Sequence, residues 1–264
     1  MKTVTSKDGT TIAFDKVGAG PALILVPGAI QHRAIDPKTE QLMALLAEQF
    51  TTFNYDRRGR GDSGDTQPYA VEREIEDIEA LVDEAGGSAF LYGISSGAAL
   101  AMEATLALGD KVKKLALYEV PYNADETARQ AWRNYRTELQ EVLASGRPGD
   151  AMLLFMMLLG LAAEQAPAMR QSPMWPAFES IEHTLAYDAA VLGEEADIPI
   201  ERAARLTVPT LVMDGGATEF PFMHITALAL TQAIPHAQHR TLEGQTHEVD
   251  SAVLAPALAG FFAG

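Results

Sequence analysis

A serine flanked by two glycines is the first group in this chain that could carry out chemistry. Residues 93–97 read Gly-Ile-Ser-Ser-Gly, with Ser95 at the centre of a G-x-S-x-G pattern. An apolar run, residues 89–94, precedes Ser95, and the composition of residues 98–104 favours a helix. In a strand–turn–helix unit the serine hydroxyl is exposed at the end of the strand, and the glycines relieve crowding in the turn. Ser95 is therefore our candidate nucleophile.

A nucleophilic serine needs a base that takes its proton and an acid that orients the base. The next apolar run, residues 114–121, predicts a buried strand with Glu119 near its carboxyl end. Residues 238–242 alternate like a strand, and the loop after them contains His247. We expect His247 to be the general base and Glu119 to fix the imidazole tautomer and stabilise the imidazolium.

The chain order serine, acid, histidine resembles that of α/β-hydrolases. Further similar segments are residues 25–29 at the oxyanion-loop position, the Arg/Gly-rich loop 55–64, and residues 208–213 at the penultimate strand. The resemblance covers essentially the whole chain. It implies an α/β-hydrolase fold, which is a mostly parallel sheet flanked by helices. A helical cap is expected to follow the strand that ends at Glu119.

Two backbone N–H groups are candidates for an oxyanion hole, because attack on a carbonyl needs donors already placed for the negative oxygen. Ser96 follows the nucleophile and begins the predicted helix, and Ala29 lies on the loop that leaves an apolar strand, residues 22–26. Gly28 takes the place of Ala29 if the loop is shifted by one residue.

Two other carboxylates compete with Glu119 for the role of the acid. Most α/β-hydrolases carry the acid after the penultimate strand, where this chain has Asp214 and Glu219, with Thr218 at the usual Asp position. Asp214 precedes a glycine, as in a turn, and Glu219 suits an exposed loop. We prefer Glu119, because an acid at the end of a buried strand needs a partner. Asp214 and Glu219 stay open as alternatives.

The domain organisation follows from where the alternation of strands and helices stops. Before that point, Val71–Glu84 has apolar residues at helical spacing. Three helical stretches, roughly 125–144, 150–165 and 176–192, then replace the alternation. We expect a first core segment at 1–120, a helical cap at 121–207 and a second core segment at 208–264.

Apolar cap residues and residues near the oxyanion loop are candidates for contact with substrate. Methionine and aromatic side chains at helical spacing more often pack the cap against the core, but they can also form an adaptable pocket wall. The candidates are Gly28, Ile30, His32, Met152, Phe155, Met156 and Trp175.

Composition excludes several classes of function. The formal net charge of −16 argues against nucleic acid or an anionic membrane as a partner. The absence of cysteine excludes a thiolate nucleophile. The N-terminus lacks an apolar signal segment, and the longest apolar stretch, residues 151–163, is shorter than the ~20 residues of a membrane span. We expect a cytoplasmic monomer or homodimer.

We expect neither a cofactor nor a metal ion. The glycines form no phosphate-binding pattern. Four histidines show no metal-ligand spacing, namely His183, His224, His236 and His239. Three arginines flank a tight turn and are predicted to be structural, with two aspartates as counter-charges. The arginines are Arg57, Arg58 and Arg60, and the aspartates are Asp56 and Asp62.

Three short motifs resemble the lactonases that open the macrolactone zearalenone: Ser-Ser-Gly at 95–97, Glu-Val-Pro at 119–121 and Val-Pro at 26–27. One position departs, because that branch has Asp-Gly where this chain has Gly28 and Ala29, so a polar pocket group is missing. We expect a serine hydrolase that cleaves a small hydrophobic ester or lactone through an acyl-enzyme. The alternatives are a triad-bearing receptor with little turnover and a non-hydrolytic enzyme of the hydroxynitrile lyase or perhydrolase type.

Overall fold

Eight strands form one sheet in this protein, whose computed structural model describes all 264 residues. In chain order they are β1 (Lys2–Thr5), β2 (Thr11–Val17), β3 (Ala22–Val26), β4 (Thr51–Tyr55), β5 (Ala89–Ile94), β6 (Val112–Tyr118), β7 (Thr210–Gly215) and β8 (Ala237–Leu242). Their spatial order is β1-β2-β4-β3-β5-β6-β7-β8. The β1–β2 and β2–β4 pairs are antiparallel, and all the others are parallel. The predicted fold class is confirmed.

Eleven α-helices accompany the sheet. Five of them flank the strands: α1 (Pro37–Leu46), α2 (Val71–Glu84), α3 (Ser96–Leu108), α10 (Phe222–Ala233) and α11 (Ser251–Ala263). The other six lie between β6 and β7: α4 (Glu126–Ser145), α5 (Asp150–Leu158), α6 (Ala166–Met169), α7 (Trp175–Ser180), α8 (Leu185–Leu192) and α9 (Ile200–Ala203). We call residues 126–203 the helical insert. None of the helices is both long enough and apolar enough to cross a bilayer.

Two hydrophobic clusters cover the two faces of the sheet. Successive strand residues point to opposite faces, so Ile24 belongs to one cluster and its neighbours Leu23 and Leu25 to the other. The larger cluster joins the strands to α2, α3, α10 and the insert, and the smaller one joins them to α1 and α11. With both faces covered, the carboxyl ends of the parallel strands form an edge at which loops can place side chains.

The helical insert is more broken than the sequence predicts. The stretch predicted as a helix at 150–165 ends at Leu158, and Gly160 adopts a φ of +101° that continues no right-handed helix. The stretch predicted at 176–192 breaks after Ser180, where Ile181 takes a φ of −112° and buries its side chain in the larger cluster. The break thus coincides with a residue that packs into the core.

Candidate active site

Ser95 lies in a strained turn between β5 and α3. Its φ of 56° and ψ of −130° are outside the usual regions for a residue with a side chain. A Cβ added to Gly93 would lie 2.4 Å from the Gly97 carbonyl oxygen, and one added to Gly97 would lie 2.4 Å from the carbonyl oxygens of Pro27 and Val26. The two glycines of the motif are needed because the helix starts in direct contact with two strands.

The Glu119 carboxylate lies against the His247 ring. Glu119 is fully buried, and its backbone φ of 46° turns it out of the line of β6. Oε1 accepts the Gly215 N–H at 2.9 Å, and Oε2 lies 2.7 Å from His247 Nδ1. An ionised carboxylate only accepts hydrogen bonds, so Nδ1 carries the proton and Nε2 is left as an acceptor.

Two residues that the sequence analysis did not identify hold the His247 loop. The Tyr118 hydroxyl donates to the Thr246 carbonyl at 2.6 Å, immediately before His247. At Gly215 an added Cβ would lie 2.3 Å from the Gln245 carbonyl oxygen, so only glycine allows this loop to approach β7. The only sequence signal for Tyr118 is its polar hydroxyl after the apolar residues Leu115–Leu117 at the end of β6.

The two competing acids lie elsewhere. Asp214 is within β7, and its carboxylate contacts His224 Nδ1 at 2.7 Å and His239 Nε2 at 2.5 Å rather than His247. Glu219 is exposed on the loop after β7 and makes no side-chain hydrogen bond. Of the three carboxylates, the structure brings only Glu119 to His247.

The oxyanion-loop candidates differ in whether their N–H groups are available. The Gly28 N–H donates to Gln31 Oε1 at 2.6 Å, so it is occupied. The Ala29 N–H has no acceptor in the protein. Ser96 is the first residue of α3, where an N–H has no acceptor one turn earlier in the helix. The geometry therefore favours Ala29 and Ser96 over Gly28 as donors.

Backbone strain is concentrated around these groups. Four residues other than glycine have a positive φ, and three of them are Ile30 in the oxyanion loop, Ser95 and Glu119. Strained backbone of this kind costs on the order of 1–3 kcal/mol per residue and clusters at functional sites. The fourth, Ala196, lies in the helical insert.

A cavity of about 400 Å³ opens beside Ser95 and His247. Of the predicted substrate contacts, Gly28, Ile30 and Phe155 line it, and the insert also contributes Leu159 and Phe178. Phe155 and Leu159 are four residues apart, so they share one side of the chain at the end of α5.

Four of the predicted substrate contacts do not line the cavity: His32, Met152, Met156 and Trp175. Met152 is buried in the larger hydrophobic cluster and Met156 packs against it. Trp175 is buried too, and its Nε1–H donates to Glu179 at 3.0 Å. His32 is buried, and its burial lowers the pKa of the imidazole. These four side chains contribute to packing rather than to the cavity wall.

A buried ionic network connects the helical insert to the strand ends behind Ser95. The Asp188 carboxylate on α8 accepts hydrogen bonds from Ser96 Oγ at 2.7 Å, Arg57 at 2.7 Å and Arg60 at 2.6 Å. Arg60 also donates to the Gly28 carbonyl at 2.6 Å. Burial alone would raise the pKa of Asp188, but Arg60 and Arg57 hold it below its ordinary value. The network thus joins the insert to the loop at Gly28 and to the first residue of α3, next to the two candidate oxyanion donors.

The predicted counter-charges of the arginines were wrong. Arg57 pairs with Glu74 and Asp188, Arg58 with Asp8 and Asp77, and Arg60 with Asp188. Asp56 and Asp62 instead pair with Arg33. Neighbours in a tight turn point apart, so the partners come from α2, the β1–β2 turn and the insert.

Two of the four histidines that show no metal-ligand spacing in the sequence come together in the fold. His224 on α10 and His239 on β8 both contact Asp214. Strand register explains the convergence, because Asp214 pairs with Thr241 and His239 is two residues earlier on the same face of β8. His183 lies 3.4 Å from Asp65, and His236 is exposed.

Comparison with known proteins agrees with this architecture. The model of the alpha/beta hydrolase family matches residues 23–258. An alpha/beta hydrolase from Sphaerobacter thermophilus is 47% identical over 99% of this chain and 100% of its own, with a TM-score of 0.86.

Two more distant structures share the fold. A thermophilic esterase from Thermogutta terrifontis is 21% identical over 99% of this chain and 97% of its own, with a TM-score of 0.73. An enol-lactonase from Burkholderia xenovorans is 17% identical over 100% of both chains, with a TM-score of 0.72. The family match and the 47% identity together establish that this chain belongs to the alpha/beta hydrolase family.

Proposed function

We propose that this protein is a serine hydrolase that cleaves carboxylic esters or lactones through an acyl-enzyme on Ser95. The observation that carries the proposal is the 2.7 Å contact between Glu119 Oε2 and His247 Nδ1 at the cavity that also contains Ser95. The free N–H of Ala29 at the same cavity supports it. The names of the two distant structural relatives, an esterase and an enol-lactonase, agree with this reaction class.

The first half of the reaction acylates the enzyme. His247 Nε2 accepts the proton of the Ser95 hydroxyl while Ser95 Oγ bonds to the substrate carbonyl carbon. The N–H groups of Ala29 and Ser96 stabilise the resulting oxyanion, and losing one such donor typically costs about 10²–10³ in rate. The ester C–O bond then breaks, and the leaving oxygen takes the proton from the imidazolium.

The second half restores the enzyme. A water molecule loses a proton to His247 Nε2 as its oxygen attacks the acyl carbon. The C–O bond to Ser95 breaks, and the serine oxygen recovers the proton. With a lactone, the alcohol formed in the first half is part of the acyl group, so one hydroxy acid leaves at the end.

The cavity wall favours bulky or cyclic hydrophobic substrates over short ones. The insert places Phe155, Leu159 and Phe178 on the wall, and pockets of about 300–1,000 Å³ with mostly apolar linings bury whole small ligands. Position 28 offers no side chain, and an added Cβ there would lie 3.0 Å from Gln31 Oε1. A zearalenone-like macrolactone belongs to the proposed substrate class. The pocket of this chain would bind it without the polar side chain that the lactonase branch has after Val-Pro.

A substrate panel with two variants tests the proposal. We expect p-nitrophenyl ester turnover to be lost in Ser95→Ala, and kcat/KM to be higher for octanoate and lactone substrates than for acetate. Phe155→Ala should reduce that preference, whereas Met157→Ala, exposed on the same helix, should leave it unchanged.

Three outcomes would contradict the proposal. A ligand that raises the melting temperature without turnover would indicate a receptor. A product other than the hydrolysed acid would indicate a lyase or perhydrolase. Acetate as the best substrate, with Phe155→Ala indistinguishable from Met157→Ala, would exclude the proposed substrate class.

A further inference from the structure

The Asp214 carboxylate is buried, and its only basic neighbours are two histidines. Its side chain is 1% exposed, and no lysine or arginine forms an ion pair with it. Its side-chain neighbours are His224, His239 and the Thr241 hydroxyl, which lies 3.3 Å from Oδ1. Burying a carboxylate costs free energy unless its charge is compensated, so a bound cation would stabilise this site.

Three donors from three elements converge on this point. Asp214 comes from β7, His224 from α10 and His239 from β8, and one ligand atom of each lies within 4.8 Å of the other two. His224 is 46% exposed and His239 is 22% exposed, so one side of the cluster is open to solvent. Two imidazoles and one carboxylate are a common donor set for zinc, which accepts water as a fourth ligand.

We propose that Asp214, His224 and His239 bind one divalent transition-metal ion of the zinc class. Ligands at about 2.0–2.1 Å from a tetrahedral zinc ion stand roughly 3.3 Å apart, so the imidazoles must open slightly from their contacts with Asp214. Both rings are partly exposed and can make that movement. On metal binding, the imidazole nitrogens that face the carboxylate give up their protons, which move to the other ring nitrogen or, from an imidazolium, to solvent.

The position of the ion gives it a structural role. Through its three ligands the ion connects α10 to β7 and to the edge strand β8. Asp214 directly precedes Gly215, whose N–H donates to Glu119. None of the three ligands lines the cavity beside Ser95, so the metal site does not depend on the proposed reaction.

Metal content after chelation and reloading tests the site. The full-length protein is treated with EDTA, incubated with ZnCl₂, desalted and analysed for zinc by mass spectrometry. We expect one zinc ion per chain and a melting temperature that rises by roughly 5 °C at a zinc concentration about a hundred times the Kd. Loading with Co²⁺ should give the visible absorption of a tetrahedral site.

Single variants separate this site from adventitious binding. His224→Gln and His239→Gln should each lose the zinc and the melting shift, whereas His236→Gln, an exposed histidine outside the cluster, should keep both. If Asp214→Asn does not fold, the partly exposed His224 still provides the test. A desalted protein without zinc, or zinc kept equally in all variants, would overturn the proposal. A wild-type melting temperature that rises on acidification but not with zinc would show that an imidazolium supplies the charge.

Discussion

Glu119 and Asp214 are two buried carboxylates that start from neighbouring positions on adjacent strands, yet their surroundings give them different chemistry. Tyr118 pairs with Met213, so the residues after them lie side by side at the ends of β6 and β7. Each carboxylate contacts histidine at 2.7 Å or less. Only Glu119 leaves the strand with a positive φ and reaches a histidine on the cavity that holds Ser95.

A contact between a buried carboxylate and a histidine does not by itself identify a catalytic acid. Asp214 has two such contacts but no nucleophile beside them. Glu119 has one contact, together with a strained serine turn and an available N–H group at the same cavity. The neighbouring groups, and not the pair alone, determine what the imidazole can do.

The largest expected effect is the loss of the acid. Glu119→Gln should lower kcat by roughly 10⁴, because an amide cannot enforce the imidazole tautomer or stabilise the imidazolium. Asp214→Asn should lower kcat by less than about tenfold, because its histidines do not line the cavity. Steady-state kinetics of both variants, with the exposed Glu219→Gln as control, test this ranking. A lower kcat for the Asp214 variant than for the Glu119 variant would contradict the assignment of Glu119 as the acid.

A third buried carboxylate, Asp188, differs from Glu119 and Asp214 because it pairs with guanidinium groups and not with imidazoles. Asp188→Asn should lower the free energy of unfolding by about 3–5 kcal/mol, since two buried arginines lose their shared counter-charge. Asp62→Asn, at an exposed ion pair, should cost less than about 1 kcal/mol. Urea unfolding of both variants measures the difference, and equal losses would show that the buried Asp188 contributes no more stability than the exposed Asp62.

The same network has a pH signature. The folded pKa of Asp188 is lowered, so its contribution to stability is present above the unfolded value of about 3.9 and is lost as the pH falls through the folded value. The stability difference between wild type and Asp188→Asn should therefore shrink as the solution is acidified below about pH 4. A difference that stays constant or grows on acidification would contradict this assignment.

A smaller effect is expected where the Glu119 strand supports the histidine loop. Tyr118→Phe removes the 2.6 Å hydrogen bond to the Thr246 carbonyl, so kcat should fall on the order of tenfold and stability by about 1 kcal/mol. Tyr122→Phe is the matched control, because the buried Tyr122 hydroxyl has no hydrogen-bond partner. Equal kinetics for the two variants would exclude a positioning role for Tyr118.

The sequence predicts features that depend on local spacing and backbone geometry. The helix at Val71–Glu84 has the predicted bounds, because its apolar residues follow the helical period and bury Ile78, Leu81 and Val82. The placement of Ser95 in a strand–turn–helix unit was likewise predictable, since Gly93 and Gly97 mark the close contacts of that turn.

Contacts between distant segments were not predictable from one sequence. Asp188 reaches Ser96 across 92 positions of sequence, and helical spacing within the insert does not show which core residue it contacts. His239 reaches Asp214 because of the β7–β8 register, which the sequence does not specify. Met152 and Phe155 are on one helix, and only the packing decides that Phe155 faces the cavity while Met152 is buried.

The most direct test of an acyl-enzyme on Ser95 is the site of covalent labelling by a fluorophosphonate, which reacts with an activated serine. Intact mass spectrometry and peptide mapping should show one adduct per chain, on Ser95. The adduct should be absent from folded Ser95→Ala and should form much more slowly in Glu119→Gln than in Asp214→Asn. An adduct on Ser96 or another serine, or labelling of Ser95→Ala at the wild-type rate, would contradict the assignment of Ser95 as the nucleophile.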